Sequence, residues 1–179
     1  MRFASFAHDG RDRFGLVGDD GIADLTGHDG HANLAAVIAA GGLAALGDAA
    51  KSAPVVPFDA LTFLPTIPAP GKIVCIGVNY EPHRIEMGRE KGDSPMVFTR
   101  MNDTLVAHAG ALTKPSNSDD FDYEGEIAVI IGKPGRHIAE AEAMTHVAGY
   151  TIFMDASVRD FQKQNLIAGK NFPGTGGMG

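Results

Sequence analysis

Glu124 and Glu126 stand two residues apart at the head of an apolar run, Ile127-Ala128-Val129-Ile130-Ile131. The run has the β-branched composition of a strand, and alternate residues of a strand share a face. Both carboxylates therefore point the same way, where they repel each other. Such a pair must lie on a solvated edge, meet counter-charges or hold a cation, because a buried unpaired carboxylate is costly. A second strand-like run, Tyr150-Thr151-Ile152-Phe153-Met154, ends at Asp155. If the two strand ends meet, three hard oxygen ligands converge. That is a seat for Mg²⁺, which takes octahedral oxygen and keeps positions open for water or substrate. The alternative for Asp155 is the N-cap of a helix over 157–167.

The 179 residues suffice for a buried core and one domain with an appendage. A net charge of −7, with no dense Lys/Arg run, argues against nucleic acid or an anionic membrane as the main partner. The only cysteine, Cys75, lies in the apolar run Ile73-Val74-Cys75-Ile76 and reads as a small buried hydrophobe. No internal disulfide is possible, which suits a reducing cytoplasm. The N-terminus lacks the apolar core of a signal peptide, and Leu34–Leu46 is too short and Gly-broken to span a bilayer.

Along the chain, residues 2–25 alternate apolar pieces with Asp-Gly turns, the pattern of a small β meander. Residues 31–50 predict two short helices broken at Gly41-Gly42, and the five prolines of 53–71 an extended connector. A boundary near residue 69 divides a small N-terminal domain with its proline-rich linker (1–68) from a second domain (69–179). There, Ile73–Val78 predicts a buried strand and Pro82 the start of a helix ending at Gly92. Strands are expected at 96–99, 123–131 and 149–154, a polar loop over 108–121, and helices over 140–146 and 157–167.

His83 and Glu86 fall three apart on the predicted helix and share a face. A carboxylate beside an imidazole fixes its tautomer and raises its basicity, as a general base requires. The plainer reading is a surface pair. Lys170, in the Gly/Pro-rich stretch Ala168–Pro173, is either a solvated loop lysine or an electrophile for a carboxylate or oxyanion. Gly174–Gly179 satisfies G-x-G-x-x-G, but no strand leads into it and no helix follows, so a flexible or substrate-facing loop is expected rather than a dinucleotide site.

In this order, four stretches resemble the fumarylacetoacetate hydrolase family: Lys72–His83, Asp122–Lys133, Gly149–Gln162 and Lys170-Asn171-Phe172. The resemblance covers residues 70–179. It implies an α+β, mostly β fold, a mixed β-sandwich roll with flanking helices, beside the small N-terminal α/β domain. It also implies a homodimer. Glu124, Glu126 and Asp155 match the family's Mg²⁺ ligands (Mn²⁺ or Ca²⁺ being possible), His83 and Glu86 its catalytic dyad. Gln162 and Lys170 match substrate-contacting positions, and Tyr80 is expected in the pocket wall with Met87 and Phe98. Arg159 and Asp160 are expected in structural ion pairs. Asn171 stands where serine is more usual. Family chains continue past the position of Gly179, so the catalytic domain is expected to be C-terminally incomplete.

The activity implied is Mg²⁺-dependent hydrolysis of a C–C bond in a 1,3-dicarbonyl acid of the acylpyruvate or fumarylacetoacetate type, in aromatic catabolism. His83 would activate water and Lys170 would hold the carboxylate or oxyanion. Two alternatives stay open. The same groups serve a decarboxylase, isomerase or hydratase of 2-oxo acids, and the fold can persist as a non-catalytic protein.

Overall fold

The computed structural model describes residues 1–179 as a strand-dominated mixed α+β structure. The expected meander forms β1 (Phe3–His8), β2 (Arg11–Val17) and β3 (Gly21–Asp24). Asp9 and Gly10 turn the first hairpin in the left-handed region, which an Asp-Gly pair reaches at little steric cost. Two short helices follow, α1 (Leu34–Ala39), capped by the Asn33 side chain, and α2 (Leu46–Ala49). The proline-rich stretch is more than a connector. It supplies β4 (Val55–Pro57) and β5 (Thr62–Phe63), which close both edges of a sheet ordered β4-β3-β2-β1-β5. Proline is tolerated there because an edge strand leaves one row of N–H groups unused. One face of this sheet packs Phe14 against Leu25, Leu34, Val37, Leu46 and Ile67, and Ala4, Phe6, Ile22 and Val56 form a second cluster.

Beyond residue 70, β6 (Ile73–Gly77) leads through α3 (Glu81–Glu86) to β7 (Met96–Arg100), with β6 and β7 paired antiparallel. β6 is buried on one face only: Val74 and Ile76 are exposed, and Cys75 is half-buried. α3 stops at Glu86, short of the expected Gly92, because Gly88 turns left-handed. Next come β8 (Leu105–Ala107), β9 (Phe121–Asp122), β10 (Gly125–Ile131) and β11 (Val147–Asp155), the last two forming a long antiparallel pair. The expected helix over 157–167 is instead β12 (Ser157–Val158), paired with β9, then α4 (Arg159–Gln162) and α5 (Leu166–Lys170). Asn165 breaks the run by capping α5, its side chain accepting from Ile167 N and Ala168 N.

The glycine-rich end is not a loop. Gly176–Met178 is β13, set between β11 and β8 in a sheet ordered β10-β11-β13-β8. Glycine is required there by close approach: a Cβ on Gly176 would lie 3.0 Å from the Phe153 ring and 3.1 Å from the Arg100 guanidinium. The other face of the β10–β11 pair is open. Ile127 opposes Ile152 and Val129 opposes Tyr150, all exposed, with Ile131 alongside. On β6–β7, Val74, Ile76 and Val97 are exposed in the same way.

Candidate active site

The inner face of β7 carries Phe98 and Arg100, whose register partners on β6 are Cys75 and Ile73. Asp155, the last residue of β11, is brought against Glu124 by a backbone hydrogen bond from Asp155 N to Glu124 O, 2.8 Å. Glu124 lies just before β10 and Glu126 within it, so the alternation read from the sequence puts both on the more buried side.

Lys170 is not a solvated loop residue. It ends α5, is 1% exposed, and its ammonium donates to Glu124 Oε2 (2.7 Å), Asp155 Oδ2 (2.6 Å) and Asp155 O (2.8 Å). All three N–H donors are thereby used. The same nitrogen lies 5.4 Å from the centre of the Phe98 ring. This burial depends on Gly169. A Cβ there would stand 2.4 Å from Gln162 Cβ, so only glycine lets α5 lie against α4.

Arg100 was not singled out by sequence, yet its side chain is as enclosed as that of Lys170. Its guanidinium donates to Asp155 Oδ1 at 2.7 Å, leaving neither carboxylate oxygen of Asp155 free of a cation. The available signal was parity: Arg100 shares the face of Phe98 in an apolar strand, where an arginine needs an acidic partner. Arg159 pairs with Asp122 and Glu124, both at 2.8 Å, and Ser157 donates to Glu124 Oε1 at 2.7 Å. The expected ion-pair role thus holds for Arg159, but Asp160 accepts from the Ser118 hydroxyl instead. Gln162 reaches Arg159 and Ser157.

These contacts set the electrostatics. Burial pushes the Glu124 carboxyl up, but the Lys170 and Ser157 hydrogen bonds and the Lys170 and Arg159 charges outweigh it, and the group titrates below the usual range. Glu126 goes the other way. Burial raises its carboxyl, and the charges of Asp155 and Glu124 add to the rise, while Tyr80 beside it and Lys170 oppose it. Burial also pushes the Cys75 thiol up to about 11, with Asp155 contributing, so the thiol facing this cluster stays neutral.

As the side chains stand, no three carboxylate, imidazole or thiol groups converge to hold a metal ion. Lys170 instead spans two of the three carboxylates assigned to one from sequence. The donor chemistry still fits a hard divalent cation. Glu126 is a half-buried carboxylate in no salt bridge, met by the Tyr80 side chain and held among like charges, and a cation reverses the sign of that like-charge interaction. Seating one requires Glu124 and Asp155 to share oxygens now given to Lys170.

α3 reaches the cluster through Tyr80. Val78, with φ 54, turns the chain between β6 and α3, a conformation a β-branched residue adopts only under constraint. His83 lies one turn beyond Tyr80, its Nδ1 3.5 Å from Glu86 Oε2, both side chains more than half exposed. The pair forms as the spacing predicts, on the exposed surface of α3.

The fumarylacetoacetate hydrolase C-terminal family model matches residues 72–179. A mitochondrial oxaloacetate tautomerase of Homo sapiens is 39% identical over 128 residues, which is 69% of this chain and 40% of that protein. The oxaloacetate tautomerase YisK of Bacillus subtilis is 44% identical over 119 residues, 63% of this chain and 40% of that one. Among solved structures, the fumarylacetoacetate hydrolase of psychrophilic Exiguobacterium antarcticum gives a TM-score of 0.78 at 30% identity, covering 99% of this chain and 64% of that one. A maleylpyruvate hydrolase from a Sphingobium species, in complex with manganese(II) and pyruvate, gives 0.78 at 26% identity, covering 100% and 65%. The matched region spans 40% of the length of those two curated relatives.

Proposed function

Since this chain belongs to the fumarylacetoacetate hydrolase family, we propose that its carboxylate cluster serves enol chemistry on a small 2-oxo acid of the oxaloacetate class. The reaction proposed is keto–enol tautomerisation assisted by a divalent cation. The observation that carries the reading is the buried Lys170 ammonium on Glu124 and Asp155, beside a Glu126 whose carboxyl is pushed up by burial and by its acidic neighbours. Relatives named as oxaloacetate tautomerases, at 39% and 44% identity, support the substrate class. The neighbour holding manganese and pyruvate supports a divalent cation beside an oxo acid. Mg²⁺ is the ion proposed, with Mn²⁺ and Ca²⁺ suited to the same oxygens.

Glu124, Glu126 and Asp155 would hold the cation. Its chemistry is that of a Lewis acid, withdrawing charge from the oxygens of the oxo acid as the enolate develops. Lys170, whose three N–H groups are spent on Glu124 and Asp155 here, would turn one of them to the substrate carboxylate or the developing oxyanion once those carboxylates hold the cation. With Nδ1 turned to Glu86, His83 presents Nε2 to take the proton from the carbon between the two carbonyls and to return it to oxygen. Tyr80 and Gln162 orient the acid.

C–C hydrolysis of an acylpyruvate is the second reading, favoured by the solvent-facing His83–Glu86 pair, which can activate water equally well. Product analysis separates the two. Tautomerisation interconverts enol and keto oxaloacetate with no loss of carbon. Release of pyruvate from an acylpyruvate, quenched by a chelator and lost in His83→Ala, would move the assignment to the hydrolase. We further propose a homodimer built on the open β10–β11 face, and the cytoplasm as its compartment. No helix is long and apolar enough to cross a membrane.

A further inference from the structure

The buried guanidinium of Arg100 is used by neither reading above, yet it ties together more of the site than any other side chain. Its side chain has no exposed surface. Nη1 donates to Asp155 Oδ1 at 2.7 Å and to Ala156 O at 3.3 Å, and Nη2 donates to the Thr175 hydroxyl at 2.8 Å. Nε reaches Thr104 Oγ1 at 3.4 Å, and the guanidinium carbon lies 5.7 Å from the centre of the Phe153 ring. Thr175 is fully buried and donates its own proton to Phe172 O at 2.6 Å. The glycine at 176 leaves room for this fork.

We propose that Arg100 is a positioning residue for the cation seat: it fixes the direction of the Asp155 carboxylate and couples it to the segment joining Lys170 to β13. The proposal rests on the divalent-cation reading given above. Three features argue for it. Lys170 alone would leave Asp155 free to rotate about its Oδ2 contact, and the second cation on Oδ1 removes that freedom. A planar fork can serve Asp155 and Thr175 at once, which the single nitrogen of lysine cannot. The segment Asn171–Thr175 is held at both ends, by Lys170 on Asp155 and by Thr175 on Arg100, so the Lys170 ammonium and the Asp155 carboxylate keep a fixed relation. Partners that orient a metal-ligating carboxylate typically change metal affinity by about 10–100-fold when altered.

The test titrates the chain with Mn²⁺ alone, reading free Mn²⁺ by its paramagnetic resonance, and records the metal-free thermal midpoint of each variant. The parent binds Mn²⁺ and Asp155→Asn does not. Arg100→Lys keeps the charge and loses the fork; it is expected to stay folded and weaken Mn²⁺ binding on the order of tenfold. Thr175→Val removes the second arm, together with the hydrogen bond from Thr175 to Phe172 O, and is expected to weaken Mn²⁺ binding severalfold. Folded Arg100→Lys with Mn²⁺ affinity within twofold of the parent would overturn the proposal, whatever its thermal midpoint, since a purely structural arginine changes stability alone. If Arg100→Lys fails to fold, Thr175→Val decides on the same twofold criterion. A parent that binds no Mn²⁺ overturns the cation reading and this proposal with it, whereas a binding parent with indifferent variants overturns this proposal only.

Discussion

At the scale of single residues the site is a balance of charges, and two glutamates on one strand face sit on opposite sides of it. Glu124 is held by Lys170, Ser157 and Arg159, and its lowered carboxyl makes it a source of stability above its ordinary value of 4.5. That contribution is lost as pH falls through the lower folded value, so acid unfolds the site by protonating Glu124. Glu126, raised, has the reverse sign. Its stabilising share is complete at low pH and disappears as pH rises through its folded value, so above that value the ionised group is a liability without a cation. Glu126→Gln is therefore expected to raise the metal-free thermal midpoint at pH 7 while abolishing the stabilisation that added Mn²⁺ gives the parent. A lower midpoint would contradict the charge assignment. Lys170→Met strands two carboxylates in a buried setting. Its expected cost is about 3–5 kcal/mol, measured by urea unfolding.

At the scale of elements, the parts legible in the sequence were those set by local chemistry. The Asp-Gly hairpin, the split helices around Gly41-Gly42, the β10 and β11 strands and the His83–Glu86 spacing all follow from turn preference and periodicity. What escaped was set by tertiary pairing. Ser157 and Val158 form a strand because Asp122 and Phe121 lie opposite them, and Gly176–Met178 form one because β11 and β8 leave a slot between them. The glutamate pair and Asp155 were visible as carboxylates needing counter-charges, but the cations lie 46 residues from Glu124 (Lys170) and 55 from Asp155 (Arg100). No local pattern reports such distances. The α4–α5 contact offers a test of this packing: Gly169→Ala, whose Cβ would meet Gln162, should lose about 1–3 kcal/mol in urea. Gly149→Ala, with nothing within 4 Å, should lose none.

At the scale of the whole molecule, the accessible surface of 11137 Å² is roughly a third larger than the about 8,300 Å² expected for a folded monomer of 18.8 kDa. Much of the apolar excess lies on two sheet faces, Ile127, Val129, Ile131, Tyr150 and Ile152 on one and Val74, Ile76 and Val97 on the other. Contiguous patches of this kind mark interfaces. Under the homodimer proposed above, light scattering should give twice the chain mass. Ile127→Lys combined with Ile152→Lys should return it to 18.8 kDa, since these residues oppose each other across β10–β11 and would bring like charges together at the seam. A doubled mass that survives the substitutions would place the interface elsewhere.

Under the function proposed above, the Glu124–Glu126–Asp155–Lys170 cluster, with a divalent cation, catalyses enol chemistry on an oxo acid. Its most direct test is the initial rate at which enol-oxaloacetate is converted to the keto form, followed spectroscopically with Mg²⁺ and after chelation. The expected result is a catalysed rate that chelation abolishes and that Lys170→Met and Glu126→Gln each reduce by at least a hundredfold. A rate indifferent to the chelator, or preserved in both variants, would contradict it.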